Sequence, residues 1–70
     1  MMNTTAYDVT GMTCGHCEGS VRGEVAKIQG ITGIEVSAAT GRLIVTSDSA
    51  VDDAAVLAAV DEAGYSAVRA

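Results

Sequence analysis

The chain contains no proline, tryptophan or phenylalanine, and its only aromatic side chains are two tyrosines. A core must therefore be built from Val, Ile, Leu, Ala and Met. The hydrophobic fraction of 49% is enough for that, and well above what marks a disordered segment. Basic residues are also scarce: Arg22, Lys27, Arg42 and Arg69 face nine acids, for a net charge of −5. Without a basic patch to neutralise phosphates, nucleic acid is excluded as a partner, and an anionic membrane surface is disfavoured for the same reason. No apolar run approaches the roughly 20 residues of a membrane helix, so no insertion is expected. The first residues lack the basic and apolar regions of a secretory signal. Two cysteines do not make the disulfide framework of a secreted mini-protein, so a cytoplasmic location is expected. The 70 residues suffice for one domain, 1–70, with no linker or low-complexity stretch.

Within that frame the hydrophobic periodicity is legible. Thr5, Tyr7 and Val9 alternate with Ala6, Asp8 and Thr10, the pattern of a strand with one buried face. The glycines of the segment 11–15 interrupt it. Cys17, Val21, Val25 and Ile28 then form one apolar stripe, predicting a helix from about His16 to Ile28, with Glu18 in its first turn, Lys27 in its last and Gly30 as its stop. Ile34 and Val36 set a second strand, and Leu43 and Val45 a third over 42–46, joined by a turn at 38–41. A second helix begins after Asp52, with Val51 and Val56 placed as a hydrophobic staple. Its stripe is Val56, Ala59, Val60 and Ala63. Gly64 ends it, and Tyr65 to Val68 supplies a last strand. The order is β-α-β-β-α-β, a split βαβ arrangement with a four-stranded antiparallel sheet and two helices on one face. The fold class is α+β.

The chemistry is concentrated in Gly11-Met12-Thr13-Cys14-Gly15-His16-Cys17. Cys14 and Cys17 sit at a strand-to-helix junction, where unpaired N–H groups and the positive end of the helix dipole favour thiolate over thiol. Two soft thiolates suit Cu(I), which accepts low coordination numbers, whereas a closed zinc site usually takes four ligands. One histidine and two cysteines cannot supply four. An open pair also suits a carrier, because an incoming cysteine pair can take the ion by ligand exchange.

Rival explanations share the Cys-X-X-Cys pattern. Cys-Gly-His-Cys is also the active-site tetrapeptide of protein disulfide isomerase, but thioredoxin-like domains carry Trp before the first cysteine and a cis-proline loop beside the pair. Here Thr13 precedes Cys14 and proline is absent. Covalent haem attachment needs His after the second cysteine, and Cys17 is followed by Glu18. Two ordinary buried cysteines would be a structural alternative. A pair flanked by glycines in a loop is poorly placed for packing.

Met12-X-Cys14-X-X-Cys17, Gly30-Ile31, Leu43-Ile44-Val45 and Val56 to Tyr65 together resemble the heavy-metal-associated domain family. Its members include CopZ-like bacterial copper chaperones, N-terminal domains of copper-transporting P-type ATPases and mercury-binding carriers. The resemblance spans essentially the whole chain. It implies a ferredoxin-like fold, no enzymatic activity, Cu(I) held by Cys14 and Cys17, and transfer to the metal-binding domain of a copper ATPase or to a copper regulator. It also implies Met12 in the core beneath the loop and Tyr65 beside the metal, and it allows a copper-bridged homodimer. Met1 at the start and an end soon after the last strand favour a free-standing chaperone over a domain of a larger ATPase. For His16 three roles stay open: an exposed spacer, a group that tunes the thiols, or a ligand.

Overall fold

The alternation of Tyr7 and Val9 with Asp8 and Thr10 produces β1 (Asn3–Thr10) in the computed structural model, which describes residues 3–12 and 15–70. It is followed by α1 (Gly15–Val25), β2 (Ile31–Ser37), β3 (Arg42–Ser47), α2 (Asp53–Glu62) and β4 (Ser66–Arg69). The strands form one antiparallel sheet in the order β2-β3-β1-β4. Both helices cover the same face of it and touch each other, which is the ferredoxin-like arrangement. Val21 and Val25 from α1, Val56 and Val60 from α2, and Tyr7, Leu43 and Val45 from the sheet are fully buried between the layers. Each such aliphatic side chain contributes about 1.5–3 kcal/mol relative to exposure. Among the described residues no helix is long and apolar enough to cross a membrane.

The first helix stops at Val25, three residues before its predicted end. Lys27 and Ile28 donate to the carbonyls of Glu24 and Val25, three positions back, so the chain tightens out of α-geometry there. Ile28 still packs on the core. Lys27 instead pairs with Glu24 at 3.0 Å on the surface. The last strand begins one residue later than expected because Tyr65 completes the exit of α2. Its N–H bonds the Val60 carbonyl at 3.1 Å, and that of Gly64 bonds Asp61 at 2.9 Å, the two bonds of a Schellman motif. At the other end Asp52 caps α2 as expected, its carboxylate accepting the Ala54 N–H at 3.1 Å. Val51 packs against the core cluster to which buried Val56 belongs.

One polar cluster holds three elements together. Tyr7 is fully buried, and its hydroxyl donates to Asp53 Oδ1 at 2.5 Å, while Arg69 of β4 donates to Asp53 Oδ2 at 2.7 Å. Burial and the adjacent carboxylate push the tyrosine hydroxyl well above its ordinary pKa. The hydroxyl's hydrogen bond, helped by Arg69 and opposed by desolvation, holds the Asp53 carboxyl below its own. The signs are opposite in consequence. A depressed carboxyl stabilises the fold above its unfolded value of 3.8 and ceases to do so as pH falls through the folded value. A raised tyrosine stabilises below its unfolded value of 10.0, and that contribution fades as pH rises beyond it. Urea midpoints measured against pH should therefore decline on both limbs. Asp53→Asn, which keeps an acceptor for Tyr7, should flatten the acid limb; an unchanged acid limb would show that Asp53 does not contribute.

Candidate metal centre

β1 ends at Thr10 and α1 begins at Gly15, so the two arms that flank the cysteine motif are the end of β1 and the first turn of α1. Gly11 adopts φ +100°, a conformation that disfavours any side chain. A Cβ there would also meet the Tyr65 ring, whose Cδ1 lies 3.3 Å from the position it would take. Glycine is thus what lets Tyr65 lie against the base of the loop. Met12 turns inward and is 8% exposed, part of the core cluster.

On the second arm, Cys17 is 8% exposed in the first turn of α1 and belongs to the same cluster. Its neighbour His16 is exposed. Consecutive helical residues point about 100° apart, so burying Cys17 turns the imidazole away from it. The His16 backbone carbonyl accepts the Ser20 hydroxyl at 3.2 Å. Of the expected ligands, Cys14 lies outside the described residues. Met12 and Cys17 lie in one core cluster, Tyr65 packs against it, and His16 is exposed.

Two contacts at this end were not anticipated from sequence. Glu18 is half-buried and its carboxylate accepts the backbone N–H of Ala38, in the β2–β3 turn, at 2.6 Å. The same turn bonds β1, with the Val9 N–H donating to the Gly41 carbonyl at 2.6 Å. The missed signal is slight: an acid at a helix start reads as a dipole partner, and nothing local tells that it reaches another turn.

The family model for the heavy-metal-associated domain matches residues 6–66, which contain the loop, both helices and the central strands. The chain belongs to the heavy-metal-associated domain family. Among its relatives is the copper chaperone CopZ of Staphylococcus aureus (strain bovine RF122 / ET3-1), 34% identical over 68 residues, covering 96% of this chain and 100% of the chaperone. Copper-transporting ATPase 2 of Rhizobium meliloti (strain 1021) is 36% identical over 62 residues, which are 89% of this chain but 8% of the ATPase. A solved CopZ metallochaperone superposes with a TM-score of 0.87 at 31% identity, over 94% of this chain and 100% of that one. The family thus includes both free-standing proteins of this size and segments of much larger ones.

Proposed function

We propose that this chain is a cytosolic carrier of Cu(I), which it holds between the sulfurs of Cys14 and Cys17 and passes to a copper-transporting P-type ATPase or a copper regulator. The observation that carries the proposal is the position of Cys17: in the first turn of α1, at the edge of the core, beside the end of the helix that stabilises negative charge. Full-length similarity to copper chaperones supports it. Among the described residues no three His, Cys, Asp or Glu side chains converge.

In this function the chain's residues have simple tasks. Cys14 and Cys17 hold the ion as thiolates, and Met12 anchors the loop from beneath. Tyr65 flanks the loop at Gly11. Transfer proceeds when a thiolate of the acceptor adds to the ion and one donor sulfur leaves, so coordination never falls below two. No bond to carbon or oxygen is broken, and no catalytic group is required. At high loading, two chains can share ions face to face as a copper-bridged homodimer.

A second function has an observation of its own. The match to an ATPase over 89% of this chain is what a metal-binding domain of such a transporter would give, with the same site used for receipt instead of delivery. Anaerobic titration with Cu(I), Zn(II) and Hg(II) against a competing chelator tests the metal assignment. We expect one Cu(I) per chain, retained against a chelator that strips Zn(II). Preference for Zn(II) over Cu(I) would sink the copper assignment.

A further inference from the structure

We infer that Glu18 is a positioning residue for the metal site, latching the first turn of α1, and with it Cys17, to the β2–β3 turn. The inference rests on the function proposed above, in which Cys17 holds the ion. Glu18 follows Cys17 directly, and its Oε2 accepts the Ala38 N–H at 2.6 Å in a half-buried setting. A carboxylate in the first turn of a helix ordinarily bonds that helix's own free N–H groups or points to water. This one reaches across 20 residues of sequence to another element. The bond is charge-assisted and therefore stronger than a neutral one.

The turn it grips is itself fixed to the other arm of the loop. The Gly41 N–H closes the turn on the Ser37 carbonyl at 2.9 Å, and the Gly41 carbonyl accepts the Val9 N–H at 2.6 Å. Val9 stands two residues before Gly11, where the loop begins. Both arms of the cysteine loop are consequently referenced to one short turn: β1 through Val9 and Gly41, α1 through Glu18 and Ala38. The remaining acid on α1 does no such thing. Glu24 pairs with Lys27, three residues on, whose side chain is 72% exposed. Cutting the Glu18 bond should leave the first arm anchored and let the second move, so that Cys17 is held less firmly at its ligating position.

The test uses the whole chain as wild type, Glu18→Ala, Glu18→Gln and, as a control, Glu24→Ala. Amide exchange at Ala38 reports the bond, and the rate of Cu(I) release to excess chelator under anaerobic conditions reports the site. Removing a group that orients a metal ligand typically costs 10–100-fold in affinity, so Glu18→Ala is expected to release Cu(I) roughly tenfold faster. Its Ala38 amide should lose protection. A glutamine side chain carries an amide oxygen that can accept the same bond without the charge, so Glu18→Gln should recover much of both values, and Glu24→Ala should match wild type. A wild-type release rate in Glu18→Ala, or a Glu18→Gln variant as impaired as the alanine one, would overturn the inference. If the wild-type chain fails to hold Cu(I), the proposed function fails separately. The rate of Cys17 alkylation in the same variants then decides the latch: unchanged rates refute it.

Discussion

Cys17→Ser is expected to weaken Cu(I) binding by at least about a thousandfold, some 4 kcal/mol, while the chain still folds. The serine hydroxyl keeps its proton at neutral pH and is a hard ligand, so it neither carries the negative charge nor offers the soft donor that Cu(I) prefers. Only one thiolate of the proposed pair would remain. The fold is less affected because the two side chains are nearly the same size. Cys17 is 8% exposed at the edge of the core, and exchanging sulfur for a hydroxyl there should cost about 1 kcal/mol. In a domain this small that is roughly 4–8 °C in the thermal midpoint. Chelator competition and thermal unfolding measured on one preparation separate the two effects. Cys14→Ser should lose affinity to a similar degree. Wild-type affinity in both variants would end the two-thiolate proposal.

Gly41→Val should cost about 3 kcal/mol of stability. Gly41 adopts φ +70°, where a β-branched residue is severely disfavoured. The new Cβ would also lie 3.0 Å from the Val9 carbonyl oxygen, a backbone atom held within β1 that cannot swing aside. Strain and contact act together, and relief requires the turn to pull away from β1. That movement would break the Val9–Gly41 bond at the root of the cysteine loop, so copper retention should fall along with the thermal midpoint. Gly23→Ala is the counterpart. Gly23 lies in α1 with open space where a Cβ would go, and the substitution should stabilise by up to about 1 kcal/mol. Thermal unfolding of the two variants should therefore move in opposite directions. Equal shifts would show that glycine content, not local geometry, governs the response.

These two results would bear on how the small domain divides its stability. A chain of 70 residues has a thin margin, and α1 spends some of it on glycines at 15, 19 and 23. Its helical state therefore depends on the burial of Cys17, Val21 and Val25 against the sheet, and on the tie from Glu18. The helix that presents the ligand is thus held by tertiary contacts more than by its own propensity.

Much of this was legible in the amino-acid order alone. Period-two alternation at Tyr7 and Val9 and at Leu43 and Val45, and helical stripes at Cys17–Val21–Val25 and Val56–Ala59–Val60, identified the elements and their buried faces. Asp52 as a cap and the glycine stops located their ends to within a few residues. These features are local: each depends on side chains within a turn or a strand of one another, and the sequence lists them side by side. The spacing of Cys14 and Cys17, with Met12 before them, likewise pointed to the proposed site. What the tertiary structure alone decided is which distant groups meet. Alternation put the Tyr7 hydroxyl inside, but not that Asp53, among nine acids, would receive it. Tyr65 against Gly11 and Glu18 on Ala38 join residues far apart along the chain. The cysteine loop's setting belongs to this second class. Its residues were visible at once, as was the turn at 38–41, but the bonds that tie both arms to that turn, Val9 to Gly41 and Glu18 to Ala38, join segments well separated in sequence and form only once the sheet has closed.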